Sequence, residues 1–372
     1  MPSSRALLPL PADPGLLLAA LEAALDGTGP AVLPLPADPA QVLAALRPDE
    51  ALESPEIALV VPTSGSTGPP KGALLTAAAL TASATATAAR LGGPGQWLLA
   101  IPATHIGGVQ VLVRSLLAGT RPVVLDKGPF TAASFVAASA RLSGARRYVS
   151  LVPTQLQRLV GVPAAQEALR SYDAVLLGGA AAPAALLEAA SAAGARIVAT
   201  YGMSETAGGC VYDGRPLDGV VVSIDGGLVR LAGPVLCSGY RLRADLTAQA
   251  FSAGAFRTSD LGELLPDGTL RVLGRADDVI VTGGEKVPPT AVEEALLRHP
   301  SVVEVAVAGT PDPEWGERVV AFVVLRAPLT LAEARDHVAD RLPRSWAPQG
   351  LREVLQIPLL DNGKINRAGL RW

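Results

Sequence analysis

The sequence predicts an α/β protein: a large N-terminal domain of layered α/β sheets that contains a β-rich subdomain, then a small α+β domain. Short apolar runs alternate with alanine-rich helical patterns up to Gly202, which is typical of a largely parallel sheet covered by helices. After Gly202, Asp-Gly turns separate alternating strands, which indicates hairpins. After Arg275 helical and strand patterns mix again. We therefore expect domains at residues 1–276 and 277–372, with the β-rich subdomain at about 207–275.

The N-terminal part contains LPLPADP twice, at residues 8–14 and 33–39, and a leucine-alanine helical pattern follows each copy. Asp-Pro suits a helix start, because Asp caps the free amides and Pro at the first helical position lacks only an amide that would stay unpaired. We expect a strand, a turn and a helix from each copy.

Buried strands are predicted for six apolar runs, at residues 57–63, 97–103, 121–126, 148–154, 173–179 and 196–202. Motif loops follow several of them, which is where open α/β sheets bind ligands. Beyond Gly202, hairpin strands are predicted within 220–236 and 262–275. The last part predicts helices at 291–300 and 331–342 and strands at 302–309 and 318–325.

The composition excludes several classes of protein. The 31 basic and 34 acidic residues give a net charge of −3, so no basic surplus indicates a nucleic-acid or membrane partner. No apolar run has the length and richness of a membrane span, and Asp13 and Glu22 interrupt any signal-peptide pattern. Cys210 and Cys237 lack metal-ligand spacing, so we expect two buried thiols in the cytoplasm.

Residues 63–72, TSGSTGPPKG, have the composition of a phosphate-binding loop. Glycines free the backbone amides, hydroxyl side chains donate and Lys71 adds a cation, which together suit a polyphosphate. A Walker loop needs a Ser or Thr directly after its lysine to bind magnesium, and here Gly72 follows Lys71. This is therefore not a P-loop; a flexible surface loop rich in turn residues is the alternative.

Four further motifs follow: YGMSET at 201–206, FRTSDLGEL at 256–264, GRADDVIVTGGEKV at 274–287 and LLDNGKINRAGL at 359–370. The Tyr201 ring can stack on a flat base, and Glu205 is a hard oxygen ligand suited to magnesium. Asp260 can accept hydrogen bonds from the two vicinal hydroxyls of a ribose. Taken singly, each motif is equally compatible with a structural tyrosine, a turn aspartate or a solvated lysine.

Together and in this order, the five motifs resemble the adenylate-forming superfamily, which includes acyl-CoA synthetases, peptide-synthetase adenylation domains and firefly luciferase. The resemblance runs from about residue 57 to the C-terminus. It implies the adenylate-forming enzyme fold with a mobile C-terminal domain, and the substrates ATP and coenzyme A with Mg²⁺. The implied ATP-binding residues are Thr63, Ser64, Gly65, Ser66, Thr67, Gly68, Lys71, Gly178, Gly179, Ala180, Tyr201, Gly202, Met203, Asp260 and Arg275.

The resemblance also implies the catalytic roles. Lys364 would be the lysine of the adenylation step, Thr206 would contact the α-phosphate and Glu205 would bind Mg²⁺. Lys364 and Mg²⁺ would reduce the repulsion between an attacking carboxylate and the α-phosphate. No general base is needed, because the carboxylate is already ionised. The small domain would then rotate about the hinge Asp277, so that residues 283–287, with Gly283 and Gly284, reach the coenzyme A channel.

Residues 104–120 and 150–159 look like the o-succinylbenzoate–CoA ligases of menaquinone biosynthesis, including the compact form of actinobacteria. This resemblance implies an acyl pocket with His105, Gly108, Arg114, Thr154 and Ser204. Arginine suits a second substrate carboxylate, because its fork makes two parallel bonds. The alternatives are a helix-surface salt bridge for Arg114, a packed structural histidine for His105, a different acid, and a non-catalytic nucleotide-binding relative.

Two departures from the family pattern stand out. Ser259 occupies the position where most relatives have Gly, so we expect adjusted geometry around Asp260 rather than lost binding. The phosphate loop also begins near residue 63, about a hundred residues earlier than is typical of the family. We therefore expect an N-terminal subdomain to be much reduced, together with any oligomer contact that it would provide. A homodimer is kept as an expectation.

Overall fold

The structure is a computed structural model that describes residues 5–63, 70–126, 128–359 and 365–370. The chain divides into two compact units. The first comprises Met1–Gly179, Ala189–Ser223 and Arg230–Arg257, and the second comprises Ala180–Glu188, Ile224–Val229 and Thr258–Trp372. This division does not test the domain boundary predicted at Asp277, which remains a prediction.

The first sheet has four strands in sequence order. Its first three strands are parallel, and the fourth returns antiparallel to the third. Both predicted strand–turn–helix units are confirmed; the carboxylate of Asp13 caps the first helix by accepting bonds from the amides of Gly15 and Leu16. The elements are β1 (Leu7–Pro11), α1 (Pro14–Leu25), β2 (Ala31–Leu35), α2 (Ala40–Leu46), β3 (Ile57–Thr63), β4 (Lys71–Thr76) and α3 (Ala77–Arg90).

The second sheet has the order β11-β10-β9-β8-β7-β5-β6. The strands β5, β6, β7, β8 and β9 are parallel to one another, whereas β10 and β11 are added as antiparallel strands at one edge. The predicted largely parallel sheet is therefore confirmed. The strands are β5 (Gln96–Leu99), β6 (Val123–Val124), β7 (Arg147–Leu151), β8 (Ala174–Leu177), β9 (Ile197–Met203), β10 (Gly208–Tyr212) and β11 (Arg215–Pro216). The helices are α4 (Ile106–Leu117), α5 (Ala132–Ser139), α6 (Pro153–Val160), α7 (Pro163–Arg170) and α8 (Ala184–Ala192).

The third sheet is antiparallel where its register is defined and has the order β12-β13-β15-β14, with β16 paired to β15. It confirms the β-rich character predicted after Gly202. The turn before β16 contains Gly268 at φ +80°, a conformation in which glycine is favoured. The elements are β12 (Val221–Asp225), β13 (Leu228–Ala232), α9 (Ala244–Ala250), β14 (Phe251–Ser252), β15 (Ala255–Leu264) and β16 (Leu270–Arg275).

The fourth sheet lies in the second unit and has the order β18-β17-β20-β19, with β21 parallel to β20. Two helices pack on it through a core that includes Val292, Leu296, Ala334 and Val338. The predicted mixture of helices and strands is confirmed. The elements are β17 (Ile280–Thr282), β18 (Glu285–Val287), α10 (Pro289–Leu297), β19 (Val302–Asp312), β20 (Gly316–Leu325), α11 (Leu331–Ala339) and β21 (Gly350–Glu353).

Within the described ranges, every helix is too short or too polar to cross a bilayer. The two cysteines, Cys210 and Cys237, are buried and unpaired, as the sequence predicts. Burial raises the pKa of each thiol to about 12, so both are held in the neutral form.

Candidate active site

The phosphate-loop motif begins at the end of β3 and ends at the start of β4. Thr63 pairs with Lys71 in the antiparallel register, and the Thr63 hydroxyl donates to the Lys71 carbonyl at 3.2 Å. The two motif residues that bound the loop are therefore neighbours in space. The other predicted phosphate contacts, Ser64, Gly65, Ser66, Thr67 and Gly68, lie outside the described residues.

Lys71 lies beside a tyrosine that donates to a glutamate of the same unit. Its Nζ is 5.6 Å from the centroid of the Tyr240 ring, and the Tyr240 hydroxyl donates to Oε1 of Glu205 at 2.8 Å. Burial, and next the negative charge of Glu205, raise the pKa of Tyr240, so its hydroxyl remains a donor at neutral pH. A cation, a phenol and the predicted metal ligand are thus brought together. Sequence reasoning missed Tyr240, whose only signal is a Gly-Tyr pair within SGYRLRADL.

The segment that carries Tyr240 is fixed from two sides. It pairs antiparallel with β4: the Leu74 amide donates to the Gly239 carbonyl at 2.9 Å, and the Arg241 amide donates to the Gly72 carbonyl at 2.8 Å. The Arg241 side chain is only 1% exposed. Its guanidinium donates to the carbonyls of Leu46, Arg47, Glu50 and Ala51 and to the carboxylate of Glu53.

The YGMSET motif leaves β9 through a single 3₁₀ turn at Ser204–Thr206. The hydroxyl of Thr206, which is fully buried, accepts the Met203 amide at 2.9 Å and donates to the Gly208 carbonyl at 2.7 Å. At Gly202 a Cβ atom would lie 2.2 Å from the same carbonyl, so only glycine fits. Thr206 therefore holds this loop closed, and its predicted contact with the α-phosphate remains a prediction. Tyr201 is half-buried on β9.

Gly178 and Gly179, the predicted adenine-binding residues, directly follow β8. A Cβ at Gly178 would lie 2.3 Å from the Thr200 hydroxyl, and Gly179 has φ +85°. Both positions require glycine, and the exposed Gly179 leaves bare backbone that a flat base can approach. Ala180, the next residue, belongs to the second unit and is exposed.

Four of the predicted acyl residues lie in the first unit, at the start of α4, in the first turn of α6 and in the 3₁₀ turn after β9. His105 is the N-cap residue of α4 and is half-buried. A Cβ at Gly108 would lie 2.4 Å from the Pro102 carbonyl oxygen, so glycine lets α4 pack tightly on that loop. Thr154 in the first turn of α6 and Ser204 are both half-buried. These four positions remain predictions as acyl contacts.

Arg114 is a buried cation. Its side chain is only 7% exposed, its guanidinium lies 4.9 Å from the Trp97 ring, and Nη2 donates to the hydroxyls of Thr87 and Tyr212 at 3.3 and 3.4 Å. Among the described residues, Nε is buried without a hydrogen-bond partner and no carboxylate pairs with this arginine. Burial lowers its pKa. The alternative of a helix-surface salt bridge is therefore wrong, since the side chain faces the interior.

In the second unit, the predicted ribose aspartate and its helper come together. Asp260 on β15 lies opposite Arg275 on β16, and the Arg275 Nη1 is 3.4 Å from Oδ1 of Asp260. The Asp260 amide donates to the Thr258 hydroxyl at 3.0 Å, so the backbone at Ser259 is anchored on both sides. A hairpin therefore brings together two residues that are fifteen positions apart.

The same arginine reaches the predicted hinge, since the Arg275 Nη2 donates to the Asp277 carboxylate at 3.0 Å. Asp277 lies in a 3₁₀ turn at Ala276–Asp278 and is exposed. Gly283 and Gly284, the predicted coenzyme A residues, form the tip between β17 and β18 at φ +56° and +84°, which explains why both are glycine.

Lys364 lies outside the described residues. Three positions later in the sequence, Arg367 binds both carboxylate oxygens of Glu293, at 2.5 and 3.2 Å, and donates to the Val307 carbonyl. Its Nε is 3.5 Å from the Asp278 carboxylate. Sequence reasoning missed Arg367; its only signal was that it is the last residue of the NGKINR motif.

The donor set fits magnesium held largely by a nucleotide. Among the described residues no group of three or more His, Cys, Asp or Glu could form a metal site made of protein alone. Magnesium in nucleotide sites is typically bound by one or two carboxylates together with phosphates and waters. Glu205, a half-buried carboxylate with one oxygen held by Tyr240, has the chemistry for that role.

Comparison with known proteins identifies the family. Residues 19–232 match the AMP-binding enzyme family, and residues 291–364 match the AMP-binding enzyme C-terminal domain. A probable 2-succinylbenzoate–CoA ligase of Mycobacterium tuberculosis is 49% identical in an alignment 364 residues long, which covers 95% of this chain and 94% of that protein.

Two solved structures of o-succinylbenzoate CoA synthetase (MenE) from Bacillus subtilis have the same fold. The complex with the acyl-adenylate intermediate OSB-AMP matches with a TM-score of 0.80 at 26% identity, over 98% of this chain and 87% of that one. The complex with ATP and magnesium ion matches with a TM-score of 0.82 at 26% identity, over 99% and 89%. The chain therefore belongs to the AMP-binding enzyme family.

Proposed function

We propose that this protein is an AMP-forming acid–CoA ligase that converts o-succinylbenzoate into o-succinylbenzoyl-CoA. The observation that carries the reaction class is the cluster of Lys71, Tyr240 and Glu205 beside the two ends of the phosphate-loop motif. A cation suited to phosphate and a hard oxygen ligand therefore share one tyrosine as a neighbour, which supports the proposal. The named relative from Mycobacterium tuberculosis, matched over almost the full length of both chains, supports the substrate.

The first step is adenylation. A carboxylate oxygen of the acid attacks the α-phosphorus of ATP, the bond to the β-phosphate oxygen breaks, and pyrophosphate leaves. Lys71 holds the leaving phosphates, and Lys364 stabilises the charge on the α-phosphate as the bond forms. Magnesium, when bound through Glu205, neutralises phosphate charge. Because the acid is ionised near neutral pH, the step requires positioning and charge neutralisation, and no side chain has to remove a proton from it.

The family resemblance supports the assigned contacts of the nucleoside. Gly178 and Gly179 border the base, and Tyr201 on β9 offers a ring to it. Asp260 accepts bonds from the ribose hydroxyls, and Arg275 contacts Asp260. The remaining assigned contacts are Thr63, Ala180, Gly202, Met203 and Thr206, together with the loop residues Ser64, Gly65, Ser66, Thr67 and Gly68.

Arg114 binds the second carboxylate of the substrate. An unpaired cation in the interior is costly, because it has lost its hydration without gaining a counter-charge. A substrate carboxylate that reaches the guanidinium supplies that charge and an acceptor for the unpartnered Nε. This property selects a dicarboxylic acid over a monocarboxylic one. His105, Gly108, Thr154 and Ser204 complete the proposed pocket.

The second step transfers the acyl group. The coenzyme A sulfur attacks the acyl carbon, the mixed anhydride bond breaks, and AMP leaves with the electron pair. We propose that the residues from Asp277 onward rotate between the steps. The glycine tip at Gly283 and Gly284 then meets the pantetheine arm. The predicted homodimer and the cytoplasmic location remain predictions.

A panel of carboxylic acids tests this function. Each acid is incubated with ATP, magnesium and coenzyme A, and the products are measured as AMP, pyrophosphate and thioester mass. We expect o-succinylbenzoate to give the highest thioester yield and monocarboxylic aromatic acids to give little. Preference for another acid would replace the substrate but keep the reaction. If no acid elicits AMP and pyrophosphate, the chain is a non-catalytic nucleotide-binding relative.

A further inference from the structure

Tyr240 holds one of the two carboxylate oxygens of Glu205. The phenol donates to Oε1 at 2.8 Å, and within the described residues Oε2 makes no hydrogen bond. A carboxylate held in this way presents one particular oxygen to a cation. Tyr240 is 6% exposed, so water competes weakly for its hydroxyl.

The backbones on both sides of this bond are anchored independently. The Tyr240 amide donates to the Thr247 hydroxyl at 2.9 Å, and Tyr240 forms a β-bridge with Ala73. On the other side, the Glu205 carbonyl accepts the amide of Cys237 at 2.8 Å. The ring of Tyr240 also packs edge-on against Phe251, with centroids 5.9 Å apart. The hydroxyl therefore approaches the carboxylate along a fixed direction.

We infer that Tyr240 is a positioning residue for the metal ligand Glu205, which it orients so that Oε2 faces the magnesium–ATP complex. The inference rests on the proposed function, because it needs Glu205 as the ligand. Hydrogen bonds to ligating carboxylates fix their orientation, and removal of such partners typically lowers metal affinity or activity 10- to 100-fold. The Lys71 ammonium lies over the Tyr240 ring, 5.6 Å from its centroid. Tyr240 therefore contacts both Glu205 and the last part of the phosphate-loop motif.

The test separates nucleotide binding from metal binding. ATP is titrated calorimetrically into the full-length protein without acid or coenzyme A, once with EDTA and once with saturating Mn²⁺. The variant Tyr240→Phe removes only the hydroxyl and keeps the ring contacts. Tyr172→Phe is the matched control, since its buried hydroxyl bonds to Ser139 at 2.7 Å and loses the same atom. Glu205→Gln and the double variant Tyr240→Phe/Glu205→Gln complete a double-mutant cycle.

We expect Tyr240→Phe to weaken ATP binding in Mn²⁺ roughly tenfold and to leave binding in EDTA within about twofold. Tyr172→Phe should leave both within about twofold, and in the Glu205→Gln background the loss of the Tyr240 hydroxyl should add nothing. Equal losses with and without metal would show that Tyr240 is merely structural, and unchanged Mn²⁺-dependent binding would also overturn the inference. If Glu205→Gln itself changes nothing, the proposed role of Glu205 fails first and the inference fails with it.

Discussion

The most informative perturbation is Arg114→Met, which removes a buried charge and keeps an unbranched side chain of similar length. Arg114 donates through Nη2 to the hydroxyls of Thr87 and Tyr212. Those two hydroxyls also bond to each other at 2.9 Å. They therefore keep a partner when the arginine is gone, and methionine still packs on the Trp97 ring. The substitution leaves no new unsatisfied group.

Arg114→Met should leave the stability of the protein unchanged or higher, but it should weaken substrate binding. Keeping an ion in the interior costs several kcal/mol, and two long bonds to neutral hydroxyls offset only part of this. The free energy of unfolding should therefore stay within about 1 kcal/mol of the original value or increase. Substrate binding loses a charge-assisted hydrogen-bonded pair, about 1.5–3 kcal/mol, which corresponds to a rise of roughly 10- to 100-fold in the KM for o-succinylbenzoate.

The assay combines urea unfolding without ligands with initial rates of thioester formation at varied acid and at varied ATP. We expect the KM for the acid to rise and that for ATP to stay within about twofold. Arg158→Met is the control, because Arg158 is exposed and, among the described residues, bonds only to the Phe130 carbonyl at 3.2 Å. A loss of stability without a changed dependence on the acid would show that Arg114 is a structural residue and would refute the assignment.

Three further outcomes follow from the same structure. Lys364→Ala should abolish release of pyrophosphate in the adenylation step but spare thioester formation from supplied acyl-AMP, and equal loss of both would contradict the two-step rotation. Arg367→Ala should lower the free energy of unfolding by roughly 3–5 kcal/mol in urea, because it strands the buried carboxylate of Glu293; a loss below about 1 kcal/mol would contradict this. The pKa of His337 is below its usual 6.5, first through burial and then through Arg341. The folded protein therefore binds fewer protons there than the unfolded chain, so stability is lost as pH falls below 6.5, and His337→Gln should reduce that pH dependence of the urea midpoint.

The sequence allowed the architecture to be predicted because its signals are local. The alternation of β5 to β9 with helices follows from runs of apolar residues, and the cap at Asp13 lies beside the helix it starts. Asp260 and Arg275 could also be expected to meet, since a predicted hairpin separates them.

The partners of Arg114 and Glu205 could not be predicted in this way. Trp97, Thr87 and Tyr212 come from a strand, a helix and another strand, and their meeting depends on how these layers pack. Tyr240 lies in a segment outside the named strands, without hydrophobic periodicity, thirty-five positions from its carboxylate. A chemical motif indicates which residue acts, and the tertiary fold decides which residue supports it.

The buried guanidinium of Arg241 has a consequence for the order of folding. It joins the segment that carries Tyr240 to residues about 190 positions earlier in the chain. Closing so long a loop costs only about 2.6 kcal/mol more than closing a ten-residue loop, and five hydrogen bonds to a charged donor outweigh that. Long-range contacts nevertheless form slowly. The support for Glu205, the proposed metal ligand, should therefore be among the last parts of its unit to assemble, so the activity of a refolding sample should lag behind its helix content.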